Sequence, residues 1–184
     1  SITIPAKKFS DILHSLPDGK DVELSVETGD KIQLKCGRAR FGIIGAPKSE
    51  YPVLPEFNRE NAFEVSAALI GDMVRKTIFA ASSDETRHVL NGVFWSAKKG
   101  ILEMVATDGR RLAVVAKQAL PKEREINVIV PTKILSELLR LLSSLDIKGD
   151  SPEKILIGVT DNQITFQIKT TMLLSRLVGG NFPN

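Results

Sequence analysis

The chain has 184 residues, 42% of them hydrophobic, with 25 Lys and Arg against 22 Asp and Glu, a formal charge of +3. That length gives one domain or two small ones with a real core, and the mild basic excess permits a polyanionic partner without the concentrated charge of a dedicated nucleic-acid-binding arm. A single cysteine, Cys36, excludes an intrachain disulfide and most metal frameworks; with no long apolar run and no signal-like N-terminus, the expected compartment is the cytoplasm and no membrane partner is expected.

Ser1 to Ile4 is a short β-rich run, and Pro5 stands where the first turn of a helix tolerates proline. Ala6, Phe9, Ile12, Leu13 and Leu16 then recur at helical spacing until Pro17-Asp18-Gly19 stops them. Three strands are predicted next, Val22 to Val26, Ile32 to Cys36 and Ala39 to Ile44, separated by Gly29-Asp30 and Gly37-Arg38. The order is β-α-β-β-β. It returns at Ala62 to Val65, where Ser66 is a candidate helix cap ahead of an inward stripe of Leu69, Ile70, Met73, Val74 and Thr77. Strands at Val89 to Trp95, Ile101 to Thr107 and Arg110 to Ala116 complete this second unit. A third begins with a strand at Ile126 to Val130 and a helix over Thr132 to Ser144 whose Ile134, Leu135, Leu138, Leu139 and Leu142 face inward; strands Ile155 to Thr160, Gln163 to Ile168 and Thr171 to Val178 follow. A period of roughly sixty residues signals an architecture of stacked units.

The fold class expected is α+β, with repeated β-α-β-β-β units and two helices packed on one face of a shared antiparallel sheet per domain. Unit one ends in Ser49-Glu50-Tyr51-Pro52 and unit three in Gly179-Gly180-Asn181-Phe182-Pro183, each an aromatic-proline exit, whereas unit two runs straight into its successor. Units two and three therefore read as the halves of one domain, residues 58–184, and unit one as the second half of a preceding domain, residues 1–57, with residues 53–61 as the linker. Unit one is then expected to expose a helix stripe and a sheet edge.

The stretch from Leu102 to Val115 carries chemistry that folding explains least. Asp108-Gly109 between two alternating apolar runs reads as a β-hairpin with a two-residue turn. The turn does not require Arg110-Arg111 followed by Leu112. Two guanidinium groups beside a leucine can frame an apolar hollow with a charged lip that catches a peptide, but the pattern alone favours solvated arginines beside a turn. The outer helix faces carry Lys7, Lys8, Arg75, Lys76, Lys133 and Arg140 against Asp11, Asp72 and Glu137, a modest positive surface that reads either as ordinary solvated helix residues or, in a curved array of helices, as one that tracks phosphates without reading bases.

Catalysis has little support in the sequence. Only two histidines occur, His14 and His88, and no Ser or Cys pattern supplies a nucleophile-base pair. Asp108 is explained by its turn, Cys36 by its strand, and no Gly-rich loop cradles phosphate, so no catalytic residue, metal or cofactor is expected.

Val105-Ala106-Thr107-Asp108-Gly109-Arg110-Arg111-Leu112-Ala113, preceded by Arg87-His88-Val89-Leu90-Asn91-Gly92 and followed by Ser175-Arg176-Leu177-Val178-Gly179-Gly180-Asn181-Phe182-Pro183, resembles the bacterial sliding clamps, the β subunits of the DNA polymerase III holoenzyme. Ile4-Pro5-Ala6-Lys7-Lys8-Phe9 and Gly37-Arg38-Ala39-Arg40-Phe41 extend the resemblance to the first domain of that family, so it spans essentially the whole chain. It implies the DNA-clamp fold, a fragment covering the second half of domain one and all of domain two, and a non-catalytic processivity factor. In the family, two protomers close into a homodimeric ring around duplex DNA that tethers the replicative polymerase, the clamp loader and repair factors through short linear motifs. By match of position, the resemblance implies a peptide pocket of Leu90, Thr107, Gly109, Arg110, Arg111, Leu112 and Pro183. It also implies DNA-facing roles for Lys7, Lys8, Arg87, His88, Lys133 and Arg140. The alternative is a module that docks linear peptides with no DNA role.

Overall fold

The computed structural model describes residues 1–51, 62–147 and 152–183. Chain contacts divide it into two compact units, Ser1–Glu56 and Phe57–Asn184. The expected linker, residues 53–61, and the expected 57/58 boundary within it lie outside the described residues.

In the first unit, β1 (Ile2–Thr3) pairs with β5 (Ala46–Pro47), and α1 (Ala6–His14) follows β1 directly. A three-stranded meander, β2 (Glu23–Glu27), β3 (Lys31–Cys36) and β4 (Ala39–Ile44), runs in the order β2-β3-β4. Alternation on β3 buries Ile32, Leu34 and Cys36, joined by Ile43. Those four are the unit's buried apolar residues among the described ones. The helix buries none of its side chains, and Leu24 and Val26 on β2 stand exposed. The amphipathic stripe of α1 is thus present in the sequence and incompletely covered in the fold.

The second unit holds both remaining repeats. Its first comprises β6 (Ala62–Ser66), α2 (Ala67–Arg75), β7 (Gly92–Lys98), β8 (Ile101–Thr107) and β9 (Leu112–Gln118); its second comprises β10 (Ile126–Pro131), α3 (Thr132–Ser144), β11 (Lys154–Val159), β12 (Gln163–Ile168) and β13 (Thr171–Arg176). The β-α-β-β-β order of the sequence is what forms. Ser66 caps α2 by accepting the Leu69 N–H, which satisfies one of the helix's free amide donors.

The sheets differ from the single shared one expected. There are two four-stranded antiparallel sheets, ordered β10-β7-β8-β9 and β13-β12-β11-β6. Each takes three strands from one repeat and the leading strand from the other, so β10 pairs with β7 and β6 with β11. The physical reason is direct connection: the leading strand runs straight into its helix, and the two helices pack together, which carries each leading strand across to the opposite sheet. One isolated bridge, Ile129 with Val178, ties β10 to the segment that follows β13.

Inward-facing residues of both sheets and both helices form one core that includes Ile70, Met73, Trp95, Met104, Leu135, Leu138, Ile157 and Phe166. Trp95 from one sheet meets Phe166 from the other edge to face, with ring centroids 5.9 Å apart. The helices approach closely at Gly71, where an added Cβ would stand 2.8 Å from a Leu142 methyl. Each fully buried Leu, Ile or Phe contributes about 1.5–3 kcal/mol, and truncating Trp95 to alanine would cost about 3–5 kcal/mol. Among the described residues, no helix is long and apolar enough to cross a membrane.

Candidate functional site

The β8–β9 hairpin closes differently from the two-residue turn expected. The last pair is Thr107 with Leu112, leaving a four-residue loop from Asp108 to Arg111. Only Gly109 in it has positive φ, +85°, whereas the tight turn needs two such residues in succession. Side chains take over the work of the turn. One Asp108 carboxylate oxygen accepts the N–H groups of Arg110 and Arg111 at 2.9 and 3.0 Å, while Thr107 Oγ1 donates to the Arg111 carbonyl at 2.7 Å and accepts from Gly109 N–H at 3.0 Å. These bonds hold the Asp108 carboxyl below the usual carboxylate range, the Arg110 amide foremost, then the Arg111 amide, with the Arg111 guanidinium adding its charge.

Arg87 locks the loop from outside by donating to the Asp108 carbonyl at 3.1 Å. Its Nε also meets Asp84, whose other oxygen accepts both the hydroxyl and the amide of Thr86 at 2.6 and 3.0 Å. Those bonds, the Thr86 hydroxyl first, lower the Asp84 pKa as well.

Strand register fixes the outer face of the β10-β7-β8-β9 sheet. Val114, Val105, Phe94 and Ile129 stand side by side across all four strands as one apolar row. The adjacent row is Ala116, Glu103, Ser96 and Asn127. Alternation along each strand sends the neighbours, Trp95 and Met104 among them, into the core.

The closing segment, residues 177–183, builds the opposite wall. Leu177 N–H bonds to the Asn162 carbonyl and Val178 N–H to the Ile129 carbonyl, both at 2.9 Å. Gly180 then turns the chain at φ +112°, where a side chain would also strike Val89. The turn delivers Phe182 onto Phe94, with centroids 5.2 Å apart and planes 10° from parallel. Between this segment and the sheet lies a groove of about 1020 Å³.

Five of the seven peptide-pocket positions taken from sequence line the groove together: Leu90, Thr107, Gly109, Leu112 and Pro183. Arg110 and Arg111 do not. They line a smaller hollow of about 210 Å³ with Ser82, Asp84, Arg87 and Asp108. The Asp108 turn holds Arg111, its Nε 3.1 Å from the Asp108 carboxylate and its guanidinium 5.9 Å from the centre of the Phe79 ring. Groove residues that sequence reading missed include Phe94, Glu103, Asn127 and Phe182. The alternation of β7 and β8 placed Phe94 and Glu103 on one face, but which strands stood beside them was not encoded locally.

The cations assigned to DNA are all exposed. Lys7 and Lys8 lie on the first turn of α1, and Lys133 and Arg140 on α3. Arg140 pairs with Glu137 at 3.3 Å, Lys76 of the wider basic set pairs with Asp72 at 2.7 Å, and Arg87 is engaged with Asp84. His88 follows Arg87 in a 3-10 segment, Glu85–Leu90. His14 is held within its own helix, its Nδ1 2.8 Å from the Ser10 carbonyl oxygen. Among the described residues, no group of three or more His, Cys, Asp or Glu is arranged to hold a metal.

A duplicated β-α-β-β-β unit whose two sheets exchange leading strands, with a groove beside a side-chain-stapled hairpin, is the DNA-clamp fold. A family model described as the DNA polymerase III beta subunit, central domain, matches residues 64–184, and one for the N-terminal domain matches residues 1–55. The chain belongs to the DNA polymerase III beta subunit family. The beta sliding clamp of Bacillus subtilis strain 168 is 36% identical over 185 residues, covering 100% of this chain and 47% of the relative. A crystal structure of the Bacillus subtilis sliding clamp superimposes with a TM-score of 0.85 at 34% identity, across 100% of this chain and 47% of that one. A Pseudomonas aeruginosa sliding clamp bound to griselimycin gives a TM-score of 0.83 at 32% identity, over 100% and 48%. The chain therefore spans about half the length of the relatives it matches.

Proposed function

We propose that the chain is part of a processivity factor: a non-catalytic sliding clamp that encircles duplex DNA without reading sequence and holds the replicative polymerase and other factors through a peptide-binding groove. The observation that carries this reading is the convergence of Leu90, Thr107, Gly109, Leu112 and Pro183 on one groove, from positions far apart in sequence. Leu90, Leu112 and Pro183 supply the apolar surface for leucine and phenylalanine anchors, while Thr107 holds the rim. Each buried anchor contributes about 1.5–3 kcal/mol, which suits exchangeable binding of many partners. Tethering then works by effective concentration rather than chemistry. Arg110 and Arg111 act beside the groove, Arg111 by stabilising the hairpin loop. The crystallised relative bound to griselimycin supports a ligand-accepting role for family members.

The DNA role rests on Lys7, Lys8, Lys133 and Arg140, with Arg87 and His88 on the second unit. A sliding protein needs weak, numerous and sequence-indifferent contacts, which exposed lysines on helices provide. In this reading residues 1–57 are the second half of clamp domain one and residues 58–184 are domain two, with the homodimeric ring completed in a longer protein.

Two binding measurements on the 184-residue chain test the reading. A fluorescein-labelled peptide containing Gln-Leu-Ser-Leu-Phe is expected to bind, and Leu112→Asp to abolish it. Two duplexes of unrelated sequence are expected to bind equally and weakly, with affinity falling as salt rises and on charge reversal of the four helix cations. Peptide binding with no DNA response to either change would favour a docking module without a DNA role; no peptide binding would remove the clamp-groove assignment.

A further inference from the structure

The groove is lined by charged side chains of one sign, although the chain as a whole is basic. Those side chains are Glu103 and Asp161. Glu103 is half-buried at the middle of its row, flanked by Ser96 on β7 and Ala116 on β9, directly beside the apolar row that ends in Phe94 and Ile129. Asp161 sits in the turn between β11 and β12, next to Asn162, the residue that holds Leu177 of the closing segment. Neither carboxylate forms an ion pair among the described residues. On the same face of the sheet the nearest cation by register, Lys98, pairs with Ile101, two residues along β8 from Glu103, and lies outside the groove lining.

We propose that the groove selects, among apolar linear segments, those that carry a lysine or arginine positioned to meet Glu103 and Asp161. The inference deepens the peptide-docking reading and rests on it. A segment that covers the apolar row also removes water from the adjacent Glu103 carboxylate. An unpaired carboxylate resists that loss, a cation on the incoming segment offsets it, and a second carboxylate aggravates it. Charge therefore sorts partners that share the same apolar anchors, through repulsion of acidic segments as much as attraction of basic ones.

The test compares three synthetic peptides with a Gln-Leu-Ser-Leu-Phe centre, flanked at both ends by Gly and then by Lys, Gln or Glu, titrated against the full 184-residue chain at low salt. The Lys peptide is expected to bind roughly two- to fivefold more tightly than the Gln peptide, as for a largely exposed ion pair, and the Glu peptide more weakly by a similar factor. The difference collapses in the Glu103→Gln, Asp161→Asn double variant and at about 0.5 M salt, where screening acts within a few ångströms. Circular dichroism checks that the double variant folds, and binding of the Gln peptide at the parent's affinity or tighter, as removal of the carboxylate desolvation cost requires, checks that the groove is intact. Equal binding of the three peptides to the parent chain, or a Lys preference that survives in a folded double variant, overturns the proposal while leaving docking in place. Failure of the Gln peptide to bind the parent chain overturns the docking reading and this proposal with it.

Discussion

Phe94 and Phe182 lie nearly parallel, 5.2 Å between ring centres, and this stack is what holds the closing segment over the outer face of the β10-β7-β8-β9 sheet. One partner is fixed in a strand whose neighbours are buried in the core; the other sits near the end of the described chain. The groove's far wall thus depends on one aromatic contact added to the two backbone bonds of Leu177 and Val178.

Phe182→Ala is expected to loosen that wall without unfolding the unit. Such a stack contributes about 0.5–1.5 kcal/mol beyond the area it buries, so affinity for the Gln-Leu-Ser-Leu-Phe peptide should fall about three- to tenfold while the thermal midpoint moves little. A large drop in the midpoint with unchanged affinity would place Phe182 in the core's support rather than the groove's.

The Asp108 carboxyl should titrate below the ordinary aspartate value because the Arg110 and Arg111 amides bond its charged form. A pKa depressed in the folded state means that the unfolded chain binds more protons across the interval between the two values. The stabilisation is therefore fully present above the unfolded value of about 3.9 and is lost as pH falls through the lower folded value. Carbon-detected NMR titration of the side-chain carboxyls reads the midpoint directly. Asp84 should follow the same direction through its Thr86 bonds, and a midpoint for Asp108 at or above the ordinary value would contradict the turn described.

Gly92 opens β7 opposite Pro131, and an added Cβ there would stand 2.6 Å from an Ile129 methyl and 2.7 Å from the Val130 carbonyl oxygen. The second obstacle is backbone, which cannot rotate away. Gly92→Ala is expected to destabilise the chain by about 1–3 kcal/mol, the usual cost of overpacking, measured by urea unfolding. A neutral result would mean that β10 shifts freely against β7.

How much of this was legible in sequence depended on how local the governing physics was. The β-α-β-β-β repeat was legible because apolar spacing switches between periods of two and 3.6, and the helix over Thr132 to Ser144 and the strand Gln163 to Ile168 have the expected bounds. The exchange of leading strands was not, because pairing β6 with β11 depends on how α2 meets α3 across a long separation in sequence. Asp108-Gly109 marked the turn and misled on its length: the carboxylate's bonds to Arg110 and Arg111 favour a wider loop than the dipeptide alone forms. Resemblance led to the five groove residues that converge. It did not show that Arg111 folds back, nor that Glu103 and Phe94 complete the lining, since both follow from register across β7, β8 and β9.

The measurement that bears most directly on the central claim is an amide-shift titration of the isotope-labelled chain with the Gln-Leu-Ser-Leu-Phe peptide, carried to millimolar concentration and repeated with Leu112→Asp. Leu112 is 65% exposed, so the substitution leaves the core untouched. Selective shifts at Leu90, Thr107 to Leu112, Phe94 and Phe182, lost in the variant, are the expected result. A folded chain whose amides at those positions do not move would contradict peptide docking in the groove.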